Sequence, residues 1–194
     1  MYGKSTKRVY KKDAIDRAAM ELFARQGFAG TTIKDIAKKA DVTEGALYRH
    51  YAGKEEMASE LFEKEVARIG EHLSGLLESA DSPRNRLKAA VEYLYSGYRD
   101  DPWPLLFVIL NFQNLQENSV LHEKKHIYDY IVDYLYRVFR DEPGERDYEQ
   151  LSTLITGIIL QPVIVHYYRK ASRHPVEQVD AVASSCCLLA GVEP

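Results

Sequence analysis

Five consecutive residues in the second half of the chain have the spacing of a zinc hydrolase site. His122, Glu123 and His126 form an H-E-x-x-H string in a segment that the residue pattern predicts to be helical. Residues at i and i+4 share a helix face, so both imidazoles could reach one Zn²⁺ while the glutamate acts as a general base. The sequence singles out no third ligand. We therefore expect surface histidines and no bound metal, with a zinc-binding protein or metallohydrolase as an alternative.

Other catalytic chemistry finds no support in the sequence. Neither a G-x-S-x-G nucleophile elbow nor a glycine-rich phosphate loop occurs. The two cysteines, Cys186 and Cys187, are adjacent in an apolar helical segment, which suits neither a disulfide nor a metal site. They are expected to be packing residues of a reduced, cytoplasmic protein. We therefore predict that the protein is not an enzyme and has no cofactor.

A further set of polar residues, between positions 31 and 51, has the spacing of two short helices joined by a tight turn. Thr32 and Asp35 form the Thr-x-x-acid pattern of a helix start, and Thr43 can cap a second helix. Apolar residues at helical spacing give the first helix a face for packing. The second helix exposes small and polar residues at its N-terminal end. It could therefore enter a DNA major groove N-terminus first, as in a helix-turn-helix.

This stretch resembles the TetR family of transcriptional regulators. The likeness extends without a gap over about the first quarter of the chain and is carried by Glu21–Phe28, Thr31-Thr32, Ile36-Ala37, Val42, Gly45, Leu47–Tyr51 and Lys54-Glu55. It implies a DNA-binding head followed by a divergent helical domain that binds an effector. Repression is the family's usual mode of regulation, so a repressor is expected here.

The resemblance and the side-chain chemistry together predict the residues that contact DNA. Hydroxyl groups near helix N-termini and one ammonium suit phosphate oxygens. The residues predicted for the DNA backbone are Thr32, Thr43, Tyr48, Tyr51 and Lys54. The residues predicted for base edges or the groove wall are Lys34, Glu44, Gly45, Arg49 and His50. Packing within the head is the alternative for the two tyrosines.

The charge distribution favours the same segment. The chain carries a formal net charge of −3, but the balance is +6 through Lys54 and −9 after it. A basic segment that also carries a helix-turn-helix pattern is typical of nucleic-acid binding, although a solvated basic tail is the alternative. The polar N-terminus predicts no signal peptide. The apolar run from Leu154 to Val165 is interrupted and too short to span a bilayer, so no membrane association is expected.

Hydrophobic periodicity predicts an all-α fold in two domains. A flexible basic arm is expected up to about Tyr10, at the start of a three-helix DNA-binding domain over residues 1–53. A larger helical effector-binding and dimerisation domain is expected over residues 54–194, with a helix start at Ser82-Pro83. No alternating strand pattern and no repeat is present.

Specific reading of DNA requires two such heads. Two half-sites on one face of the double helix lie about 34–36 Å apart, so the sequence predicts a homodimer on a palindromic operator. The last two helices supply the predicted interface: Leu151, Leu154, Ile155, Ile158, Ile159, Val179, Val182, Ala183 and Cys186. Two helices from each chain would form a four-helix bundle, as the resemblance implies. An ordinary core within one chain is the alternative.

The middle of the chain is predicted to bind a small lipophilic or aromatic effector. Ten of the 14 tyrosines lie beyond Tyr51, and an aromatic cavity with a few polar groups suits such a ligand. The candidate residues are Tyr98, Trp103, Phe107, Asn111, Tyr134 and Gln161. Binding would favour one arrangement of the helices and release the operator. The alternatives are that these residues fill a core, or that the protein is an architectural DNA-binding factor without an effector.

Overall fold

The computed structural model describes residues 3–79, 82–117, 127–170 and 172–193, and in these ranges every regular element is a helix. The α-helices are α1 Gly3–Gln26, α2 Ile33–Lys39, α3 Glu44–Leu47, α4 Lys54–Ser79, α5 Pro83–Asp100, α6 Pro102–Glu117, α7 Ile127–Phe139, α8 Tyr148–Arg169 and α9 Val179–Leu189. A short 3-10 helix, Pro175–Gln178, precedes α9. The predicted all-α fold is confirmed.

Helix α1 begins earlier than the sequence predicts. A flexible arm up to about Tyr10 is wrong, because α1 already starts at Gly3. Its first three turns contain lysine, arginine and no proline, and long straight side chains lose little freedom in a helix. At its other end the helix stops at Gly27, which has a positive φ of 77° that glycine adopts without steric cost.

Side-chain caps fix where the short helices begin. Thr32 and Asp35 form a reciprocal capping box at the start of α2, and Thr43 accepts a hydrogen bond from the backbone of Ala46 at the start of α3. Ser82 caps α5, whose first residue is Pro83. All three starts lie where the sequence predicts them, since caps are encoded within three or four residues.

The chain forms two compact units. The first, here the head unit, comprises Met1–Val66 and Pro102–Lys124. It therefore contains the predicted DNA-binding domain, the start of α4 and helix α6. Helix α6 packs along α1, where Phe107 is fully buried and stacks on Phe23 with 5.7 Å between the ring centroids. The Asn111 amide donates to the carbonyls of Phe23 and Phe107 at 3.3 and 3.1 Å, so α6 is fixed to α1 by both apolar and polar contacts.

The second unit, here the C-terminal unit, comprises Ala67–Asp101 and Lys125–Pro194. Helix α5 packs on α9, and α7 packs on α8. Helix α8 continues through Pro162, which has no N–H for the Ile158 carbonyl. In the adjacent position the buried Tyr95 hydroxyl donates to the carbonyl of Ile159 at 2.7 Å. A side chain from α5 therefore binds the backbone of α8 next to the proline.

Helix α8 is also the one candidate membrane span among the described residues. By length and composition it could cross a bilayer, but only 22% of its apolar window is buried within the chain. Core helices of soluble proteins pass the same test, although those are mostly buried. The helix therefore leaves much apolar surface uncovered by its own chain.

Candidate nucleic-acid interface and effector residues

Helices α2 and α3 form a helix-turn-helix whose turn is tightly specified. Asp41 adopts a left-handed φ of 53° in the turn, a conformation that aspartate tolerates better than most residues. The Val42 N–H donates to the Ala37 carbonyl at 3.0 Å and closes the end of α2. Helix α3 has only four residues, so its position depends on the Thr43 cap and on Leu47, which is fully buried.

Helix α3 and the three residues that follow it present a group of exposed residues to solvent. Glu44, Gly45 and Arg49 are exposed, and Tyr48 has 54% of its surface accessible although it is a large aromatic. A Cβ atom added at Gly45 would meet no atom within 4 Å. Lys34 on α2 and Thr43 are also exposed, while His50 is half-buried. Seven of the ten predicted DNA contacts therefore lie on α2, on α3 or in the residues directly beside α3.

Thr32 has a structural role in the same region. Its hydroxyl accepts from the Asp35 N–H at 3.1 Å, and its own N–H donates to the Asp35 carboxylate at 3.2 Å. The Thr32 hydroxyl also donates to the Asp35 carboxylate at 2.5 Å, and this hydrogen bond, together with that from the Thr32 N–H, holds the pKa of Asp35 below its usual value. Thr32 remains exposed beside α2, which leaves its predicted phosphate contact open.

Tyr51 does not lie on the exposed surface. Only 2% of it is accessible, and its hydroxyl donates to the Asp16 carboxylate at 2.6 Å. Burial and this acidic partner raise the pKa of Tyr51 far above its usual value. The predicted phosphate contact of Tyr51 is therefore replaced by packing within the head unit, which was the alternative.

Lys54, at the start of α4, is committed mainly to the protein. Its ammonium donates to the carbonyls of Phe28 and Thr31 at 2.9 and 3.0 Å. It also lies 4.3 Å from the centroid of the Phe28 ring. A lysine has three N–H donors, so one of them is left for a phosphate. Lys54 thus joins α4 to the loop before α2, and its DNA contact stays a prediction.

Several basic residues of the head unit are neutralised internally. Glu21 pairs with Arg25 at 3.1 Å and with Lys39 at 2.9 Å. Asp16 pairs with Lys12 and Lys64 at 3.4 and 3.2 Å. By contrast, the exposed cations Lys34, Lys38 and Arg49 form no ion pair with the described residues. Exposed cations outside these ion pairs therefore lie on α2 and just after α3, as well as at Lys11 of α1.

The predicted effector residues fall into both units. Trp103, Phe107 and Asn111 lie on α6 in the head unit. The Arg25 guanidinium lies 4.6 Å from the centroid of the Trp103 ring, and the other two residues are buried against α1. These three residues contact α1 within the head unit.

The remaining three candidates lie in the C-terminal unit. Tyr98 is buried and its hydroxyl lies 2.9 Å from His166 Nδ1. Tyr134 is buried and donates to the Arg86 carbonyl at 2.7 Å, and burial raises its pKa far above the usual value. Gln161 is exposed on α8. Tyr98 and Tyr134 therefore lie in the interior of this unit, whereas Gln161 lies on its surface.

Most residues of the predicted dimer interface face the interior of their own chain. Leu151, Ile155, Val179, Val182, Ala183 and Cys186 are buried within the C-terminal unit. The exposed apolar residues of α8 and α9 are instead Leu154, Tyr168, Leu188 and Leu189, with accessible fractions of 47, 65, 64 and 41%. The helices have a second apolar face, and the sequence pattern did not separate it from the first.

Neither of the other candidate chemistries gains support from the described residues. His122, Glu123 and His126 lie outside them, and no group of three or more potential metal ligands occurs within them. Cys186 and Cys187 are reduced and buried, and burial raises the pKa of the Cys186 thiol to about 12. Thiols in such surroundings are poor nucleophiles.

Sequence reasoning missed Arg146, His174 and Asp16, whose hydrogen bonds hold loops and helices in place. Arg146 donates from Nε to the Ala190 carbonyl at 2.9 Å and from Nη2 to the Pro143 carbonyl at 3.0 Å. His174 Nδ1 accepts from the Val176 N–H at 3.2 Å, and its ring lies 4.7 Å from that of His166. Asp16, 3% exposed, could have been found as an acid that follows Ile15 on the apolar side of α1.

Comparison with known proteins identifies the head. Residues 15–61 match the family model for bacterial regulatory proteins of the tetR family. Among curated relatives, the HTH-type transcriptional regulator YerO of Bacillus subtilis is 25% identical over 177 residues, 88% of this chain and 61% of YerO. The HTH-type transcriptional repressor KstR2 of Mycobacterium tuberculosis is 29% identical over 145 residues, 63% of this chain and 72% of KstR2.

The chain spans about three fifths of YerO and 37% of a further Bacillus subtilis regulator, YxbF, to which it is 26% identical over 139 residues.

Solved structures share the fold over most of the chain. FadR of Bacillus halodurans has a TM-score of 0.74 at 22% identity and covers 93% of this chain and 95% of its own. FadR of Bacillus subtilis has a TM-score of 0.72 at 18% identity, covering 94% and 100%. The capped helix-turn-helix lies within the residues that match the tetR family model, so the head is that of the TetR family, and the chain as a whole has the fold of solved TetR-family structures.

Proposed function

We propose that the protein is a ligand-responsive repressor that binds a palindromic operator as a homodimer in the cytoplasm. The observation that carries the proposal is the exposed N-terminal end of α3, capped by Thr43, together with the exposed cations Lys34 and Arg49 of the same helix-turn-helix region. Helix N-termini with exposed polar residues suit the major groove, and cations suit the phosphates beside it. Both the palindromic operator and the effector belong to this proposal.

Arg49 and Lys34 are the proposed electrostatic contacts, and Glu44 and Gly45 are proposed to meet base edges. An exposed guanidinium can bind a phosphate or a guanine in two-point fashion, and a lysine can reach a guanine acceptor. Glu44 can accept from a cytosine amine but repels phosphates, so it favours sequences that supply such a donor. Thr32, Thr43, Tyr48, His50 and Lys54 complete the proposed surface.

Selection of duplexes from a random pool tests this reading of DNA. The wild type is expected to enrich a palindrome, and Arg49→Ala to weaken binding to it by about tenfold and to reduce the salt slope by about one. Arg140→Ala is the matched control, because Arg140 is an exposed arginine of the C-terminal unit. Enrichment of no sequence, with binding that depends only on duplex length, would favour an architectural factor instead.

The proposed dimer forms through the outer faces of α8 and α9. Four large apolar residues lie exposed there, and α8 as a whole is poorly buried within its own chain. Exposed apolar faces of this kind mark association sites in soluble proteins. Two helices from each chain would cover them as a four-helix bundle, and Gln161 would then lie at the interface rather than at an effector.

The mass of the protein in solution tests the dimer. Leu188→Glu is expected to shift the wild-type dimer towards monomer in analytical ultracentrifugation, because it places charge in the proposed apolar interface. Tyr136→Glu is the control, since Tyr136 is also half exposed and apolar but lies on α7. A wild-type protein that sediments as a monomer at micromolar concentration would contradict the paired-head proposal.

The proposed effector is lipophilic, and a long-chain acyl thioester is the first compound to test. FadR of Bacillus halodurans is described as a fatty acid degradation regulator, and FadR of Bacillus subtilis was solved in complex with stearoyl-CoA. The buried Tyr98 and Tyr134 of the C-terminal unit are consistent with an apolar site that contains a few polar groups.

Native mass spectrometry of the purified protein is the direct test of the effector. A dimer that gains the mass of stearoyl-CoA and then loses affinity for the selected duplex would support the proposal. Mass additions equal to zinc that disappear in His122→Ala would favour the metal-binding alternative. A dimer that binds DNA equally well with and without the thioester would contradict this effector class.

A further inference from the structure

The most completely buried charged group of the head unit is the carboxylate of Asp16, and the DNA-contact surface does not use it directly. Only 3% of Asp16 is exposed. Burying a carboxylate is costly unless hydrogen bonds and opposite charges compensate. The partners of Asp16 must therefore compensate for the burial of its carboxylate.

The partners of Asp16 come from three different segments. Oδ1 accepts from the Tyr51 hydroxyl at 2.6 Å and lies 3.4 Å from Lys12 Nζ, while Oδ2 lies 3.2 Å from Lys64 Nζ. Lys12 also donates to the Tyr51 hydroxyl, and its ammonium lies 4.3 Å from the centroid of the Tyr51 ring. We call Asp16, Tyr51, Lys12 and Lys64 the Asp16 network. It joins α1, the segment after α3 and α4.

Tyr51 is coupled closely to the end of α3. Its N–H donates to the Leu47 carbonyl at 3.1 Å, and the His50 N–H donates to the same carbonyl at 2.9 Å. Within α3 itself Leu47 is the buried residue, so a helix of four residues has little apolar surface to hold it in place. Its C-terminal end is therefore positioned largely through Leu47 and Tyr51.

From this geometry we propose that Asp16 and Tyr51 are positioning residues for DNA reading. The hydrogen bond between them fixes the orientation at which α3 leaves the head, and thereby the direction of Glu44, Gly45 and Arg49. The two lysines neutralise the carboxylate, so that Asp16 does not repel phosphates. This inference rests on the proposed reading of DNA by α3 and assigns to α1 a part in sequence specificity.

Tyr51→Phe is the primary test, because it removes one hydroxyl and leaves the ring in place. The palindrome enriched by the wild type is expected to bind about tenfold more weakly, whereas a random duplex of the same length changes by less than about twofold. A loss of specific but not of non-specific binding is what a misdirected recognition helix produces, because phosphate attraction does not depend on that direction.

Tyr95→Phe is the matched control for plain destabilisation. Tyr95 is also a fully buried tyrosine, and its hydroxyl donates to a carbonyl of α8 at 2.7 Å in the C-terminal unit. Both variants are expected to lower Tm, and both are assayed well below it. Tyr95→Phe should keep the ratio of palindrome to random affinity within about twofold of wild type.

Asp16→Asn provides a second, independent readout. The amide oxygen can still accept from Tyr51, but Lys12 and Lys64 lose their ionic partner and the head unit gains one positive charge. Affinity for the random duplex is expected to rise, with a salt slope steeper by about one. A decrease in random-duplex affinity would contradict the assigned role of the lysines.

Three results separate this inference from the proposed function. Equal losses for both duplexes in Tyr51→Phe, or no loss at all, would overturn the positioning role. A specificity loss in Tyr95→Phe as large as that in Tyr51→Phe would attribute the effect to stability and also overturn it. Failure of the wild type to prefer any duplex would instead overturn the proposed DNA reading itself.

Discussion

The helix-turn-helix and the C-terminal unit hold their backbones by hydrogen bonds of different range. The caps of α2 and α3 join residues three positions apart, as between Thr32 and Asp35. In the C-terminal unit, the Tyr95 hydroxyl reaches a carbonyl 64 residues away, and Arg146 reaches Ala190 across 44 residues. One region is therefore shaped by adjacent sequence and the other by pairs that meet only after folding.

This difference explains where tolerance to substitution should lie. A local cap restores itself whenever its few residues are intact, so damage elsewhere leaves it in place. A long-range bond between a side chain and a carbonyl depends on two elements docking correctly, and its loss leaves a buried polar group without a partner. The head unit also contains long-range contacts, at Phe107 and Asn111 of α6. Substitution of these residues should therefore have larger effects than the loss of a local cap.

Phe107→Ala should give the largest effect. The ring is fully buried and lies against Phe23 and Phe62, and removal of such a side chain costs about 3–5 kcal/mol. The free energy of unfolding from urea titration should fall by this amount, and DNA affinity should fall with it. If DNA affinity without an effector stayed unchanged, Phe107 would belong to an effector site, as the sequence first suggested.

Arg146→Ala should destabilise the C-terminal unit by about 1–3 kcal/mol, since several carbonyls lose a charged donor. Thermal unfolding followed by circular dichroism measures the change. Arg140→Ala is the comparison variant, because Arg140 is exposed and pairs with Asp141 at 3.5 Å on the surface. Equal shifts of Tm in the two variants would show that the long-range hydrogen bonds of Arg146 stabilise the C-terminal unit no more than a surface ion pair does.

Acidification should weaken the C-terminal unit through His174. Burial and the neighbouring His166 lower the pKa of His174 from its model-peptide value of 6.5, with Glu177 opposing and Arg99 adding to the effect. The folded state then binds fewer protons than the unfolded state, so stability is complete above pH 6.5 and decreases as the pH falls through this pKa. His174→Asn should keep a capping acceptor and show a smaller fall in Tm between about pH 7.5 and 5.5. An unchanged pH dependence would assign the effect to other groups.

Asp41→Gly should give the smallest effect, a gain of about 0.5 kcal/mol or less. Glycine relieves the left-handed conformation in the turn but adds freedom to the unfolded chain, so the two terms nearly cancel. DNA affinity should rise slightly because a carboxylate is removed beside the proposed contact surface. Urea titration measures the first change, and a loss of stability greater than about 1 kcal/mol would show that Asp41 makes a contact of its own.

The sequence was most informative where structure is local. Thr32 and Thr43 cap helices as predicted, α5 begins at Pro83 as predicted, and the all-α fold follows from periodicity alone. Long-range packing was not predictable in this way. Tyr51 pairs with Asp16, 35 residues away, and Trp103 lies against Arg25 on α1. An aromatic residue has the same pattern in a core and in a binding site, so spacing could not assign these residues.

The dimer residues show a related limit. Helices α8 and α9 are apolar on two sides, and periodicity identifies an apolar face without saying which chain covers it. Leu151 and Ile155 turned out to be covered by their own chain, whereas Leu154 and Leu188 are exposed. Only the packing of α5 and α7 on these helices distinguishes the two faces.

The open space around Gly45 has a consequence for how such a regulator can change its target. A side chain added there would strain no contact of the free protein, since nothing lies within 4 Å of its Cβ. Replacement by alanine or serine would even favour the helix. If Gly45 meets base edges as proposed, single substitutions at this position would create new operator preferences and leave folding intact, so duplicated copies of the gene would diverge in what they regulate before they diverge in structure.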